Sequence, residues 1–511
     1  MTDLNHIHEP EERAGQFPPL DGTQPCRVSS GAIDRFVTPA ERLRGMLARA
    51  PGGRLVRSHT DQPGRSCATR FAALLYCAAG IPPLLVAWAV VQHGVNVPWW
   101  DDWQLIPLLA ASARGEPYAH LLWAQHNEHR PLLPNLAMLA LARWTHWNLW
   151  YGFAANWLCA VAAFGILTLM MVRTVGTVAP GMVPVLVVIG SLFTFSLASW
   201  INWVWSWQLE VFMSVLATVA TAWFTLRWRG DLPGLGCVLA AAVGALLCFA
   251  SGFALLALLP PALWLAPAVS PRGRALGAGT ALLAGIGSAT LYLIGYQQPA
   301  HHPVLRLATV DPAGLGMFIL AYLGASLGQH REAVAIGWGA IGLTAFVACT
   351  ICLWRRSDRF HRSLLPWVLL GLYAILSGTL TAVGRLGFGV ARALSSQYVP
   401  ISSLFWTSTA AVVTLAIAEA SHRPMGRWLR VGVLLFSIAA AHSYRRTWEN
   451  GRRSMSTHAR DLLRARVCLL HADAASEACL RVLFPDPQLV RIGSRQLEAL
   501  ALGPFASPRR R

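Results

Sequence analysis

Apolar residues run through most of this chain in stretches of about 20, separated by short polar segments that carry arginine. A helix of about 20 residues is what a crossing of the bilayer core requires. The pattern predicts an all-α polytopic membrane protein with 11 to 13 transmembrane helices, because segments 131–145 and 312–328 are shorter candidates. The eleven main spans are expected near residues 71–92, 150–172, 182–199, 205–226, 234–249, 252–268, 275–295, 333–354, 363–383, 400–418 and 427–441.

The two ends of the chain differ from this apolar middle. Residues 1–70 are polar, rich in Arg, Pro and Gly, and without sustained periodicity, which predicts a disordered cytoplasmic tail. Residues 71–441 form the predicted transmembrane domain, with a large first external loop at 93–131 that bears surface helices. Residues 442–511 are expected to form a small external segment. The first apolar run begins too late for a cleaved signal peptide, so we expect it to remain as an anchor.

Composition and charge narrow the class of protein further. The 511 residues are 55% hydrophobic and 13% charged, which excludes an ordinary soluble globular protein. The net charge of +18 comes from arginine alone, since the chain contains no lysine. These arginines lie mostly between spans and in the tails, which indicates orientation signals and contacts with membrane lipids, and no nucleic-acid partner.

The distribution of arginine also bears on topology. Either odd total places the N-terminus in the cytoplasm and the C-terminus outside, with the arginine-rich segments 353–362 and 421–427 inside. If both short candidates cross, Arg173 and the segments 227–230 and 271–274 face outward. If neither crosses, all three face inward, as the positive-inside rule favours.

Two of the ten cysteines lie in the predicted external C-terminal segment. Cys468 and Cys479 are expected to form a disulfide there, with a pair of free thiols as the alternative. Neither cysteine has a partner at the spacing of a zinc ligand set. The sequence therefore predicts a covalent link and no metal site in this segment.

The first external loop opens with VPWWDDWQ, residues 97–104, which places Asp101 and Asp102 among three tryptophans. One of the acids could cap the surface helix that follows, and tryptophan is usual at a membrane interface. Alternatively, two adjacent carboxylates repel and a partly desolvated site raises a carboxyl pKa, which suits a general base. Asp101 is the favoured base of the two.

The same loop closes with AQHNEHRP, where His126, Glu128, His129 and Arg130 precede two prolines and an apolar helix. Pro131 and a capping residue would open that helix. Four ionisable groups in five positions exceed what capping requires. This set of residues does not identify a cofactor; a divalent metal bound jointly with the acidic pair is one alternative. Arg130 is suited to bind an anion.

These two elements, in this order, resemble the first external loop of GT-C glycosyltransferases, which use polyprenyl-phosphate sugars and include protein O-mannosyltransferases and lipid A aminoarabinose transferases. The segment EHRP, residues 128–131, stands where several members have Glu-Lys-Pro or Lys-Pro-Pro. His129 is inserted and Arg130 replaces Lys. The resemblance favours a topology in which both short candidates cross.

A second element of the resemblance lies late in the chain, at residues 384–406. Tyr398 and Pro400 match the Arg-Tyr-Leu-Leu-Pro element of the family, but Gln397 stands in place of its Arg. Arg385 and Arg392 are nearby and are predicted to bind the lipid phosphate. Interfacial snorkelling is the alternative for both arginines, although they are expected on the outer side, against the positive-inside bias.

Between these elements, the tryptophan-rich segment SWINWVWSWQLE, residues 199–210, also contains Gln208 and Glu210. Aromatic rings beside amides suit sugar recognition, so Trp203 and Gln208 are candidate substrate-binding residues. An aromatic belt at the end of a span is the competing interpretation.

The resemblance implies transfer of a sugar, with inversion, from a polyprenyl-phosphate donor to an acceptor hydroxyl outside a bacterial-type inner membrane. Asp101 or Asp102 would be the base, Glu128 would assist, and His126, His129, Arg130 and the late-element residues would bind substrate. The acceptor is a lipid, a glycan or a protein. An O-antigen or polysaccharide polymerase or ligase, and a membrane transporter, are the alternative functions; a transporter predicts an internal repeat or ionisable groups near mid-membrane.

Overall fold

The computed structural model describes residues 63–299, 311–329, 331–356, 358–420 and 424–506, and within these ranges the chain is helical without a strand. The predicted tail, residues 1–70, lies almost entirely outside the described residues. The main helices are α1 Pro63–Ala79, α2 Ile81–His93, α3 Ile106–Arg114, α4 Leu132–Thr145, α5 Trp150–Arg173, α6 Val183–Thr194, α7 Leu209–Arg227, α8 Leu232–Leu246, α9 Gly252–Trp264, α10 Pro271–Leu293, α11 Pro312–Gly328, α12 Glu332–Arg356, α13 Asp358–Arg385, α14 Val399–Ala420, α15 Pro424–Leu470 and α16 Pro487–Ala499.

Many of these helices are built to cross a membrane. Within the described ranges, eight helical segments are long and apolar enough to span, and α8, α9 and α11 are shorter apolar helices. A helix satisfies every backbone N–H and C=O internally, which a bilayer core demands. The prediction of an all-α, multi-pass membrane protein is confirmed.

Contacts between helix ends divide the bundle into two ends. At the first, which we call the loop end, the first loop meets the last residues of α10 and α13 and the turn before α7. At the opposite end, the last residues of α7 and the turn that follows α9 line a cleft together with Arg362 and Leu365 of α13. Successive long helices therefore run from one end to the other.

Helix α4 does not cross between these ends. Its first residues follow Arg130, which is bonded to the end of α10, and Leu133 donates its N–H to Leu247. At its other terminus Arg143 donates to Ser112, which belongs to the surface helix α3. Since 14 residues span only about 21 Å at about 1.5 Å each, α4 lies along the loop end.

The second short candidate, α11, likewise does not add a net crossing: the chain leaves α10 and enters α12 at the same end of the bundle. Gln329, just after α11, donates to the carbonyl of Leu394 at the loop end, and α10 finishes at that same end. The chain between α10 and α12 thus returns to the end it left. Arg130 and Gln329 thus place the ends of both short candidates at the loop end, and the described residues contain eight candidate spans besides the shorter helices α8, α9 and α11.

The C-terminal segment is continuous with the bundle. Helix α15 has 47 residues, so the predicted boundary at residue 441 falls inside it, and Ala72–Arg511 forms one compact unit. Its second half and the segment after it contact the first loop: the ring of His458 packs on Trp99 with centroids 4.7 Å apart, and the Leu483 carbonyl accepts from the Trp100 N–H at 2.8 Å. A disulfide joins Cys468 to Cys479, and α16 then packs Gly493 against Trp103.

Candidate active site

The acidic pair begins a short 3-10 helix, Trp100–Leu105, that enters the first surface helix. Asp102 caps it: one carboxylate oxygen accepts from the Trp99 N–H at 3.1 Å, and the other accepts from the Ser206 hydroxyl at 2.7 Å. The residue is only 2% exposed. Capping is therefore the role of Asp102 in this structure, and both of its oxygens are occupied.

Burial has an electrostatic consequence for Asp102. Loss of hydration raises the pKa of its carboxyl to about 7, although hydrogen bonds from Ser206, Trp99 and Trp207 oppose the shift. The neighbouring charge of Asp101 adds to it. The folded protein thus holds a proton on Asp102 more tightly than the unfolded chain does.

We expect this raised pKa to appear as a pH-dependent stability. An acid whose pKa is higher in the folded state stabilises the fold fully below its unfolded pKa and loses that contribution as pH rises from about 4 to about 7. The free energy of unfolding should fall by a few kcal/mol over that window, and Asp102→Asn should remove this dependence. Thermal midpoints in detergent between pH 4 and 8 measure the effect.

Ser206→Ala provides the matched control. It removes a hydrogen bond that favours the charged carboxylate, so the loss of stability should move to higher pH. A constant difference in thermal midpoint between wild type and Asp102→Asn over the whole range would contradict the assignment.

Asp101 differs from its neighbour in exposure and in partner. Its side chain is 21% exposed, and one carboxylate oxygen lies 3.5 Å from Nε2 of His126. Burial by itself lowers the pKa of His126, but the hydrogen bond and charge of Asp101, with the charges of Glu210 and Glu128, outweigh it and leave the pKa raised. Asp101 is thus a carboxylate open to solvent and held by an imidazole.

His126 is fixed from its other side as well. Its Nδ1 lies 2.7 Å from Oε1 of Gln104, and its ring packs on Trp207 with centroids 4.6 Å apart. The Asn127 amide lies 2.9 Å from Nε2 and can present its oxygen to a protonated ring. The imidazole is therefore oriented before any substrate arrives.

The loop around His126 is a tight turn, which we call the 126–129 hairpin. The backbones of His126 and His129 exchange two hydrogen bonds, of 2.7 and 2.9 Å. Asn127 turns the chain with φ +50, a conformation that asparagine tolerates better than most residues. The side chains of His126, Glu128 and His129 therefore point in different directions.

The side chains of His126, Glu128 and His129 each pair with an ionisable partner from a different part of the chain. Besides the His126 pair, Glu128 accepts from Arg385 at 2.8 Å, at the end of α13. His129 contacts Glu210 in the first turn of α7, with 3.0 Å between Nε2 and Oε2, and both are buried. The hairpin therefore gathers acidic and basic groups from four elements into one site.

Arg130 anchors this hairpin. Its guanidinium donates to three backbone carbonyls, those of Tyr292 at 2.9 Å, Ile294 at 2.8 Å and Trp123 at 2.9 Å. It also lies over the Trp123 ring, 5.5 Å from the centroid. Two of the carbonyls end α10, where a cation is favoured by the helix dipole. This geometry fits an anchor better than the anion ligand predicted from sequence.

The other predicted substrate-binding residues occupy different environments. Trp203 is fully buried and donates its indole N–H to the Ser196 carbonyl at 3.0 Å, so it is a core residue and does not fit the predicted sugar contact. Tyr398 is buried against the ring of Tyr322. Gln208 is buried too, and its Oε1 has no hydrogen-bond partner among the described residues. Arg392 is exposed on the segment that joins α13 to α14, residues 386–398.

The histidines and acids of the first loop form two separate pairs. Across the described ranges no group of three or more His, Cys, Asp and Glu side chains is arranged to hold a metal ion. The rings of His126 and His129 are 5.3 Å apart, but each faces a different carboxylate. Each imidazole therefore has its own carboxylate partner.

Sequence reasoning did not place Gln104, Ser206 or Tyr292 in the site, and it left Glu210 in doubt. Glu210 did carry a signal, since an acid at the start of an apolar span is costly unless paired. The other three are polar residues of ordinary types whose roles depend on which helix ends meet.

Fold and site together define a multi-pass helical membrane protein with paired ionisable groups at one end of its bundle. No protein-family model matches the chain, and no curated protein matches it. Among solved structures, it is similar to the crystal structure of ArnT from Cupriavidus metallidurans bound to undecaprenyl phosphate. The TM-score is 0.38 and the identity 14%, covering 85% of this chain and 77% of that chain.

Proposed function

We propose that the protein is a membrane glycosyltransferase that moves a sugar from a polyprenyl-phosphate donor to an acceptor hydroxyl at the loop end. The observation that carries the proposal is the 126–129 hairpin, which holds an accessible carboxylate, Asp101, and an arginine, Arg385, through neighbouring residues of one turn. A base and a phosphate-binding cation are the two groups that such a transfer needs.

In this proposal Asp101 accepts the proton of the acceptor hydroxyl as its oxygen attacks the anomeric carbon. The bond from that carbon to the donor phosphate breaks, and the lipid phosphate leaves with the bonding electrons. Attack opposite the leaving group inverts the configuration. His126 is a positioning residue, because it fixes the carboxylate that performs this step.

Arg385 and Arg392 are the proposed ligands of the departing phosphate. Glu128 holds the guanidinium of Arg385, while Arg392 is exposed nearby in the chain. Charge-assisted hydrogen bonds to a phosphate are strongest where water is partly excluded. Arg130 does not contact the phosphate in this proposal. It is a positioning residue, because it anchors the 126–129 hairpin that contains Glu128.

The direction of the bundle follows from charge. The end opposite the loop end carries Arg355 and Arg362, where α12 ends and α13 begins, so we propose that it faces the cytoplasm and that the site lies on the outer face of a bacterial-type inner membrane. The acceptor is then an external lipid, glycan or protein. The second half of α15 and the disulfide would lie on the same face.

Sugar transfer should depend on Arg385. We expect Arg385→Gln to lower the rate about 10²-fold, the usual cost of removing one group that stabilises developing charge. The measurement follows label from a polyprenyl-phosphate sugar into a new product in membranes that carry the protein. Arg362→Gln, at the opposite end of the same helix, is the matched control and should leave the rate unchanged.

Equal rates in the Arg385→Gln and Arg362→Gln proteins would remove the phosphate role from Arg385. If wild-type membranes transfer no label from any polyprenyl-phosphate sugar while nucleotide-sugar donors are used, the donor class itself would be wrong.

A further inference from the structure

A basic cavity lies beside the first loop, apart from the residues proposed for sugar transfer. Its volume is about 410 Å³, within the range of about 300–1,000 Å³ that is usual for small-molecule sites. The cavity is lined by His93, Arg452, Arg453, Ser456, Thr457 and Arg460. All but one of these lie on α15, and His93 ends the first span.

The spacing of the α15 residues puts them on one face. Arg452, Ser456 and Arg460 follow one another at intervals of four, and Arg453 and Thr457 stand beside them. The helix thus offers three guanidinium groups and two hydroxyls to the same space. Arginine forks and hydroxyl donors match the oxygens of a phosphate group.

The protein balances the charge in this cavity only in part: Glu449, one turn earlier on α15, is close enough to interact electrostatically with Arg452 and Arg453. Within the described ranges, Arg452 and Arg453 form no salt bridge, and Arg460 donates to the Thr457 hydroxyl at 3.1 Å. The nearest turn carries Glu449, but Arg445 pairs with it at 2.9 Å. Like charges held together repel, so an anion in the cavity would stabilise the arrangement.

The position of the cavity distinguishes a lipid from a soluble anion. His93 is the last residue of an apolar span, and the preceding turns expose Trp88 (57%) and Val91 (66%). A span end with exposed apolar side chains lies where headgroups meet acyl chains. A headgroup in the cavity would therefore leave its acyl chains against apolar surface.

We infer that this cavity binds the phosphate of an anionic membrane lipid, with Arg452, Arg453 and Arg460 as its ligands. Lipid binding would also explain why these arginines lie at the loop end, although the positive-inside rule favours arginine on the other side of the membrane. The site is independent of the proposed sugar transfer and would be occupied whichever reaction the protein performs.

Binding of phosphatidylglycerol to the purified full-length protein tests the assignment, with phosphatidylcholine of the same acyl chains for comparison. Native mass spectrometry counts bound lipids over a titration. We expect wild type to prefer phosphatidylglycerol by about tenfold, and Arg452→Gln/Arg453→Gln to lose that preference to within about twofold. Arg464→Gln/Arg466→Gln removes the same charge from exposed positions of the same helix outside the cavity and should keep it.

Two results would overturn the inference: an unchanged preference in the Arg452→Gln/Arg453→Gln protein, or an equal loss in both double variants. Inorganic phosphate alone, added as a competitor, separates the sources. If it displaces phosphatidylglycerol completely at millimolar concentration, the site takes a soluble phosphate and not a lipid. Thermal midpoints of both double variants within about 2 °C of wild type show that the fold is intact, and Arg460→Gln, a single exposed change, repeats the test with less perturbation.

Discussion

Asp101→Asn should lower the rate of sugar transfer by about 10²- to 10⁴-fold, the usual contribution of a general base. The amide has the same shape as the carboxylate but cannot take up the acceptor proton. Because the Asp101 side chain is partly exposed and caps nothing, the fold should be unaffected. The measurement is transfer of label from a polyprenyl-phosphate sugar, with the amount of folded protein in the membranes determined in parallel.

Asp102→Asn is the control, because it alters the adjacent carboxylate without touching the accessible one. An amide at position 102 can still accept from the Trp99 N–H and contact Ser206, so most activity should survive. Full activity in the Asp101→Asn protein would eliminate Asp101 as the base. Loss only in the Asp102→Asn protein would transfer the role to Asp102, despite its burial.

The largest effect on stability is expected from Arg130→Met. The substitution keeps an unbranched side chain but leaves the carbonyls of Tyr292, Ile294 and Trp123 without their shared cation. Each hydrogen bond to a charged group contributes about 1.5–3 kcal/mol, so the free energy of unfolding should fall by about 3 kcal/mol or more. A lower thermal midpoint in detergent and a reduced yield of folded protein would show it.

The matched control for this change is Arg143→Met, in the last turn of the same helix that Arg130 precedes. Arg143 is exposed and contacts Ser112 and Tyr118, so its loss should cost less than about 1 kcal/mol. Suppose instead that Arg130→Met folds as wild type does and only loses transfer activity. The guanidinium would then be a phosphate ligand, as the sequence suggested, and not an anchor.

The sequence determines the class of fold because the bilayer imposes a simple length and polarity rule on each span. It also locates the two halves of the first-loop site, since VPWWDDWQ and AQHNEHRP concentrate ionisable residues between apolar runs. It does not separate Asp101 from Asp102. The hydroxyl that fixes Asp102 belongs to Ser206, 104 residues away, and adjacent positions give no hint of which acid it meets.

Arg130 shows the same limit. From sequence, an arginine before two prolines is free to bind an anion, but two of the three carbonyls that accept from it lie more than 160 residues later, at the end of α10. Helix ends meet according to how the bundle packs, which periodicity does not encode. The short helix α4 was ambiguous for this reason, until contacts at both of its ends placed it along the loop end.

Helix α15 connects the basic cavity with the start of the first loop. The ring of His458 packs against Trp99, close to the acidic pair, with centroids 4.7 Å apart, and Arg452 and Arg453 of the basic cavity lie on the turns before it. The helix is continuous from the bundle through both places. A lipid phosphate bound by Arg452 and Arg453 would therefore hold the same helix that packs against Trp99, next to the acidic pair.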